Sequence, residues 1–189
     1  MAGQAFAAGS VSVLGAVDLS TLQANAPPNH IVFDRSVPPT GPTRSEIDFA
    51  TSLAPGSILV RTGERKLYFI LPQGRAIAYM VAVGREGFAW HGTNQITRKA
   101  EWPDWRPPPQ MIEREAQAGH FIPALVKGGP GNPLGARALY LGDTDYRIHG
   151  TDKPWSIGQA SSSGCIRMLN EHVSELYGLV KIGATVVVE

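Results

Sequence analysis

Only one cysteine occurs among the 189 residues. An internal disulfide is thereby excluded, and so is a multi-thiolate zinc site. Charge is also scarce: 17% of residues are Asp, Glu, Lys or Arg, and the formal net charge is +1. Such a balance provides no electrostatic footprint for a nucleic-acid partner. No apolar run reaches the roughly 18 residues that a membrane-spanning helix needs. Met1–Leu14 holds small apolar residues with no Lys or Arg before them, and so lacks the basic start of a secretory signal. On that ground alone, export and its absence both stay open.

Apolar residues are plentiful, at 43%, which is a globular composition. The 21 Gly and 15 Pro suit many short strands joined by turns better than a helical bundle. Residues 1–54 read as a Pro-rich arm, with Ala26-Pro27-Pro28-Asn29 and a second cluster at Pro38, Pro39 and Pro42. A weakly signalled helix falls at 44–52. Residues 55–189 read as the main domain, mainly β with a few short helices.

Ile58–Thr62, Leu67–Leu71 and Ala76–Val83 have strand character, and the last two form a hairpin around Pro72–Arg75. Ile77, Tyr79, Val81 and Val83 alternate onto one bulky face. Trp102–Pro109 must be extended or looped, with a helix following at Met111–Ala118. Lys127–Gly135 reads as a loop, and Arg137–Leu141 and Tyr146–His149 as strands. Leu169, Val173, Leu176 and Val180 make one apolar helical stripe, with Asn170 as its N-cap and Glu171 suited to the positive helix start. Gly183 stops this helix, and Ala184–Val188 closes the chain as a strand.

The single thiol, Cys165, sits in Ser161-Ser162-Ser163-Gly164-Cys165-Ile166-Arg167. Small neighbours let a substrate backbone approach. A helix expected just after it favours a thiolate, and the N–H groups of Gly164 and Cys165 could face an oxyanion. A free thiol has a pKa of about 8.5, so a nucleophilic Cys needs a base. His149 is the candidate, with the Gly150 carbonyl to hold one imidazole nitrogen. A lone Cys also serves as a small buried apolar group; Gly-flanked, Ser-rich sequence is poor core material and favours the chemical reading. Arg167 suits a substrate carboxylate or a salt bridge at the helix start. Ser162 and Ser163 are hydrogen-bond donors or turn formers, and Tyr146 is a rim or core aromatic. Trp102, Trp105 and their prolines suit either a lid or a rigid surface loop. His91 reads as a loop histidine, and His30, His120 and His172 show no ligand spacing, so neither a metal nor another cofactor is expected.

Ile148-His149-Gly150-Thr151, then Pro154-Trp155-Ser156-Ile157-Gly158, then Ser162-Ser163-Gly164-Cys165-Ile166-Arg167-Met168 resembles the signature of the YkuD-type L,D-transpeptidases. The resemblance covers about residues 56–188. It implies a YkuD-like β-sandwich catalytic domain in the periplasm or cell envelope, acting on peptidoglycan stem peptides. It implies Cys165 as nucleophile, His149 as base and Gly150 as the residue whose carbonyl orients it. Arg167, Ser162, Ser163, Gly164 and Tyr146 are then expected to meet substrate. Many members carry His directly before the Gly-Cys pair; here it is Ser163. The implied reaction transfers the peptide to an amine on another stem peptide or an envelope protein. Hydrolysis of the same peptides, or a non-catalytic wall-binding module, are the alternatives.

Overall fold

The computed structural model describes residues 43–86 and 88–189. The proline clusters of the arm, and His30, lie outside the described residues. The strands are β1 (Arg44–Asp48), β2 (Ile58–Arg61), β3 (Lys66–Leu71), β4 (Arg75–Met80), β5 (Val83–Gly84) and β6 (Gly92–Glu101), followed by β7 (Arg137–Leu141), β8 (Arg147–His149), β9 (Ala160–Ser162), β10 (Ile166–Arg167) and β11 (Thr185–Val188). Two α-helices accompany them among the described residues, α1 (Pro109–Gln117) and α2 (Asn170–Leu179). The mainly-β expectation with short helices holds.

Nine of these strands form one sheet in the order β1-β4-β3-β2-β11-β6-β7-β8-β10. β6 is its corner. The first half of β6 pairs with β11 and the second half with β7, and the register slips between Ile96 and Arg98. A bulge of this kind bends and twists a strand, so a single sheet supplies both halves of the fold. The core lies between them. Ile58, Val60, Leu67, Ile77, Tyr79 and Val81 come from the first half, and Leu139, Leu141, Ile148 and Ile166 from the second.

The β3–β4 hairpin forms as its alternating pattern requires, through the short Pro72–Gly74 loop. Ile77, Tyr79, Val81 and Val83 all enter the main core. The opposite face is buried too: Ala76 and Ala78 join Leu59, Tyr68 and Ile70 in a second cluster, flanked by Ile47 and Phe49. Small residues on that face let the neighbouring segment sit close.

Two expectations are corrected, and one strand had no counterpart among them. Residues 44–48 form a strand, not a helix; β1 pairs antiparallel with β4 from Arg44↔Tyr79 to Asp48↔Arg75. Its alternating half-buried and exposed side chains match a sheet edge. β6 was not anticipated. Only Ile96 among its residues is buried, so hydrophobic alternation carries no signal there. Finally, α2 does begin at Asn170, but its N-cap is Leu169, with no side-chain cap bond.

The far end of α2 is closed by Lys99 of β6. Its Nζ donates to the carbonyls of Tyr177 (2.5 Å) and Val180 (2.8 Å) and lies over the Tyr177 ring. A cation here meets the negative end of the helix dipole and satisfies orphan carbonyls. Replacing Lys99 with Met keeps the stem and removes the charge. A loss of about 1–2 kcal/mol in urea unfolding is expected.

Candidate active site

The thiol stands at the end of a tight turn. Ser162 Oγ accepts from Gly164 N (3.1 Å) and donates to the Cys165 carbonyl (2.5 Å). Gly164 has φ of 106°, and a Cβ there would come within 2.5 Å of the Tyr146 ring. Only glycine fits that backbone and that contact. Tyr146 is in turn stacked on Trp90 at 4.8 Å, and the Trp90 indole N–H donates to the Gly164 carbonyl (3.1 Å). β9, which leads into the turn, pairs with β5 in a separate two-stranded ribbon. The turn is therefore held from both sides.

After the turn the chain enters β10, which lies parallel to β8 with Ile166 opposite Ile148 and Arg167 opposite His149. Met168 N donates to the His149 carbonyl (2.8 Å), and Ala82 bonds Arg167 from the other side. Side chains alternate across a strand. Ile148 and Ile166 fill the core, so His149 and Arg167 face the opposite way. Arg147 and Cys165, each two residues earlier, share that face. The register thus collects Cys165, His149, Arg147 and Arg167 in one place.

The imidazole is fixed from behind. His149 is 4% exposed, and its Nδ1 pairs with the Gly150 carbonyl at 2.6 Å. A donor at Nδ1 leaves Nε2 as the basic nitrogen. Gly150 is packed against Asn170: a Cβ on it would meet Asn170 Oδ1 at 2.1 Å. Asn170 Oδ1 accepts from Ala136 N (2.9 Å) and Thr151 N (3.2 Å), while Nδ2 donates to the Thr151 carbonyl (3.0 Å). The residue expected to cap its helix instead ties the helix start to the loop that presents the imidazole. That role had no local signal, because its partners lie far away in the chain. Asn132 plays a similar part for the approach to β7. It is buried, accepts from Leu134 N (2.8 Å), and donates to the carbonyls of Pro103 (3.1 Å) and Val126 (2.9 Å).

Burial governs the electrostatics. It pushes the Cys165 thiol above its ordinary value, while Arg147 and then Arg167 pull it back. Burial, aided by the Arg167 charge, lowers His149 to about 3. Burial also lowers Arg167, with Cys165 opposing. The resting pair is accordingly a neutral thiol and a neutral imidazole. The Sγ hydrogen bond goes to the Asp145 carbonyl at 3.7 Å, and among the described residues the thiol and imidazole are not bonded to each other.

The helix expected directly after the thiol begins instead at Asn170, beyond β10, so its dipole does not start at the sulfur. The Gly164 N–H is engaged by Ser162, so of the two N–H groups expected to face an oxyanion it is not free to do so. Ser162 is buried with its hydroxyl used in both directions, whereas Ser163 is half-buried beside the turn. Arg147 and Trp90 were not singled out from the sequence. Among the described residues, no three His, Cys, Asp or Glu side chains cluster as a metal site would require, and no helix is long and apolar enough to cross a membrane.

The family model for the L,D-transpeptidase catalytic domain, YkuD, matches residues 55–188. This chain belongs to the YkuD L,D-transpeptidase family. The YkuD domain is 35% identical over 134 residues to the probable L,D-transpeptidase ErfK/SrfK of Escherichia coli strain K12. It is 36% identical over 135 residues to YbiS, a probable L,D-transpeptidase of the same organism. Each match covers 68% of this chain but only 42% and 43% of those proteins, so the chain spans less than half their length. Among solved structures, one from Brucella melitensis named a probable carnitine operon oxidoreductase is 41% identical, with a TM-score of 0.53 over 79% of this chain and 94% of that one. An L,D-transpeptidase from Mycobacterium smegmatis shares the fold at 17% identity and TM-score 0.53, over 70% of this chain and 57% of that one.

Two outcomes are expected of this YkuD domain. Asn170→Ala leaves buried N–H groups without acceptors and should cost about 2–3 kcal/mol in urea unfolding, with Asn170→Asp costing less because it keeps the Oδ1 acceptor. The second concerns pH. The unfolded chain takes up a proton on His149 as pH falls below its ordinary 6.5, while the folded chain resists until about 3. Stability from the neutral ring is complete above pH 6.5 and is lost as pH falls toward 3, at about 1.4 kcal/mol per pH unit. Unfolding midpoints at pH 7 and pH 4 should therefore differ more in the wild type than in His149→Gln.

Proposed function

We propose that this YkuD domain is a cysteine acyltransferase of peptidoglycan stem peptides in the cell envelope, working in the periplasm. The observation that carries the reading is the β8–β10 register, which puts one thiol, one buried imidazole and two arginines on a single face. Membership of the L,D-transpeptidase family supports the substrate class.

In the first step Cys165 Sγ attacks the carbonyl of the third stem-peptide residue. The S–C bond forms as the thiol proton passes to His149 Nε2. The C–N bond to the terminal D-alanine then breaks, and that proton leaves with the amine. In the second step an acceptor amine, from another stem peptide or an envelope protein, attacks the thioester. His149 takes the amine's proton and returns it to the departing sulfur. Gly150 serves through its carbonyl, which keeps the ring in the tautomer with a basic Nε2. Arg167 serves a substrate carboxylate, Gly164 allows the peptide to come close, and Tyr146 and Ser163 line its path. Ser162 supports the turn.

The electrostatics make the chemistry dependent on substrate. A neutral pair has no standing thiolate, so proton transfer accompanies attack. Residues 55–189 form the catalytic domain in this reading, with residues 1–54 as an arm whose strand β1 joins the domain's sheet.

The test is incubation of the purified chain with a defined tetrapeptide and an amine acceptor, followed by mass analysis. D-Alanine release with cross-linked product is expected from the wild type, and none from Cys165→Ala. Release that persists in Cys165→Ala would refute the nucleophile, and tripeptide without any cross-linked product would make water the acceptor.

A further inference from the structure

Arg147 opens β8, which lies between β7 and β10 in the sheet. Its side chain is only 19% exposed, and its nearest carboxylate oxygen, on Asp145, is 4.0 Å away on a side chain that is 84% exposed. Its Nε is buried with no hydrogen-bond partner among the described residues. The guanidinium lies 5.3 Å from the Tyr140 ring, which limits where it can swing. A buried guanidinium without a close anion is costly and invites one. The strand pairing supplies the candidate: Arg147 sits two residues before His149, and Cys165 two residues before Arg167, so the two lie side by side on one face. The sulfur already bonds the carbonyl of Asp145, the residue two before Arg147.

We propose that in the substrate-free chain Arg147, not a protonated His149, is the group that balances the negative charge when Cys165 ionises. The imidazole is poorly placed for that task. It is buried, its Nδ1 is committed to the Gly150 carbonyl, and both arginines oppose a third positive charge on the same face. Arg147 needs no proton to be charged. Of the two arginines its field acts more strongly on the thiol, which leaves Arg167 free for substrate. The division of labour is then clear: Arg147 stabilises the thiolate, and His149 only moves the proton.

The inference rests on Cys165 as the reactive thiol, but not on which acyl donor it takes. The measurement is the rate of iodoacetamide alkylation of Cys165 against pH, in the full chain without substrate. Arg147→Met should raise the midpoint of that profile by about 1–3 pH units, the range for losing an opposite charge at this distance. Arg147→Lys should restore most of the shift. Arg75→Met, a charge removed at an exposed distant strand, should leave the profile where it was. An unmoved midpoint in a folded Arg147→Met protein overturns the inference. A second measurement needs no variant. Ring-nitrogen NMR of wild-type His149 in the substrate-free chain should show a neutral imidazole while the thiol ionises; a ring that gains a proton as the sulfur loses one, with no acyl donor present, would equally overturn it. Either failure leaves D-alanine release untouched, and a chain without that release could still show the shifted midpoint.

Discussion

Two residues of parallel pairing carry the site. Ile166 against Ile148 and Arg167 against His149 set the relation between the strand that ends in the imidazole and the strand that follows the thiol. Parallel pairing by one position differently would turn His149 or Cys165 into the core and an isoleucine out of it. The register is protected by that cost. Ile148 and Ile166 are both fully buried, and Met168 continues the same packing beyond β10. Hydrophobic burial therefore fixes the polar geometry on the other face.

The rest of the architecture serves to keep that pair from moving. On one side Asn170 joins the start of α2 to the loops around Ala136 and Thr151, with Gly150 pressed against its amide. On the other, the β5–β9 ribbon, Trp90 and Tyr146 clasp the Gly164 turn. A site built this way loses little entropy on ordering, since its groups are already placed. The corner at β6 makes such an enclosure possible, because it folds one sheet over the core instead of leaving it open.

Enclosure has an electrostatic consequence. The imidazole is buried and the sulfur stands in a half-buried turn, so each neutral form is favoured at rest. The arginines tilt the balance toward a thiolate and away from an imidazolium. In the proposed chemistry, a site with that bias stays quiet until an acyl group arrives to share the charge. Burial that costs stability at low pH and burial that restrains the thiol are the same physical effect read at two groups.

Local chemistry and local periodicity were legible in the sequence. The β3–β4 hairpin, the α2 stripe and the Cys165–His149 motif all declare themselves within a few residues, because side-chain alternation and turn residues act over short distances. β6 did not, since a mostly polar strand is held by backbone bonds that side chains do not advertise. Nor did β1, whose strand character depends on β4 being there to pair with. Asn170 looked like a cap and became a clamp; Arg147 looked like a strand residue and came to lie beside the sulfur. The amino-acid order determined which groups were available to react. Only the tertiary structure decided which of them share a face, because that depends on a register between strands distant in the chain, fixed by isoleucines whose preference is for the core and not for any partner.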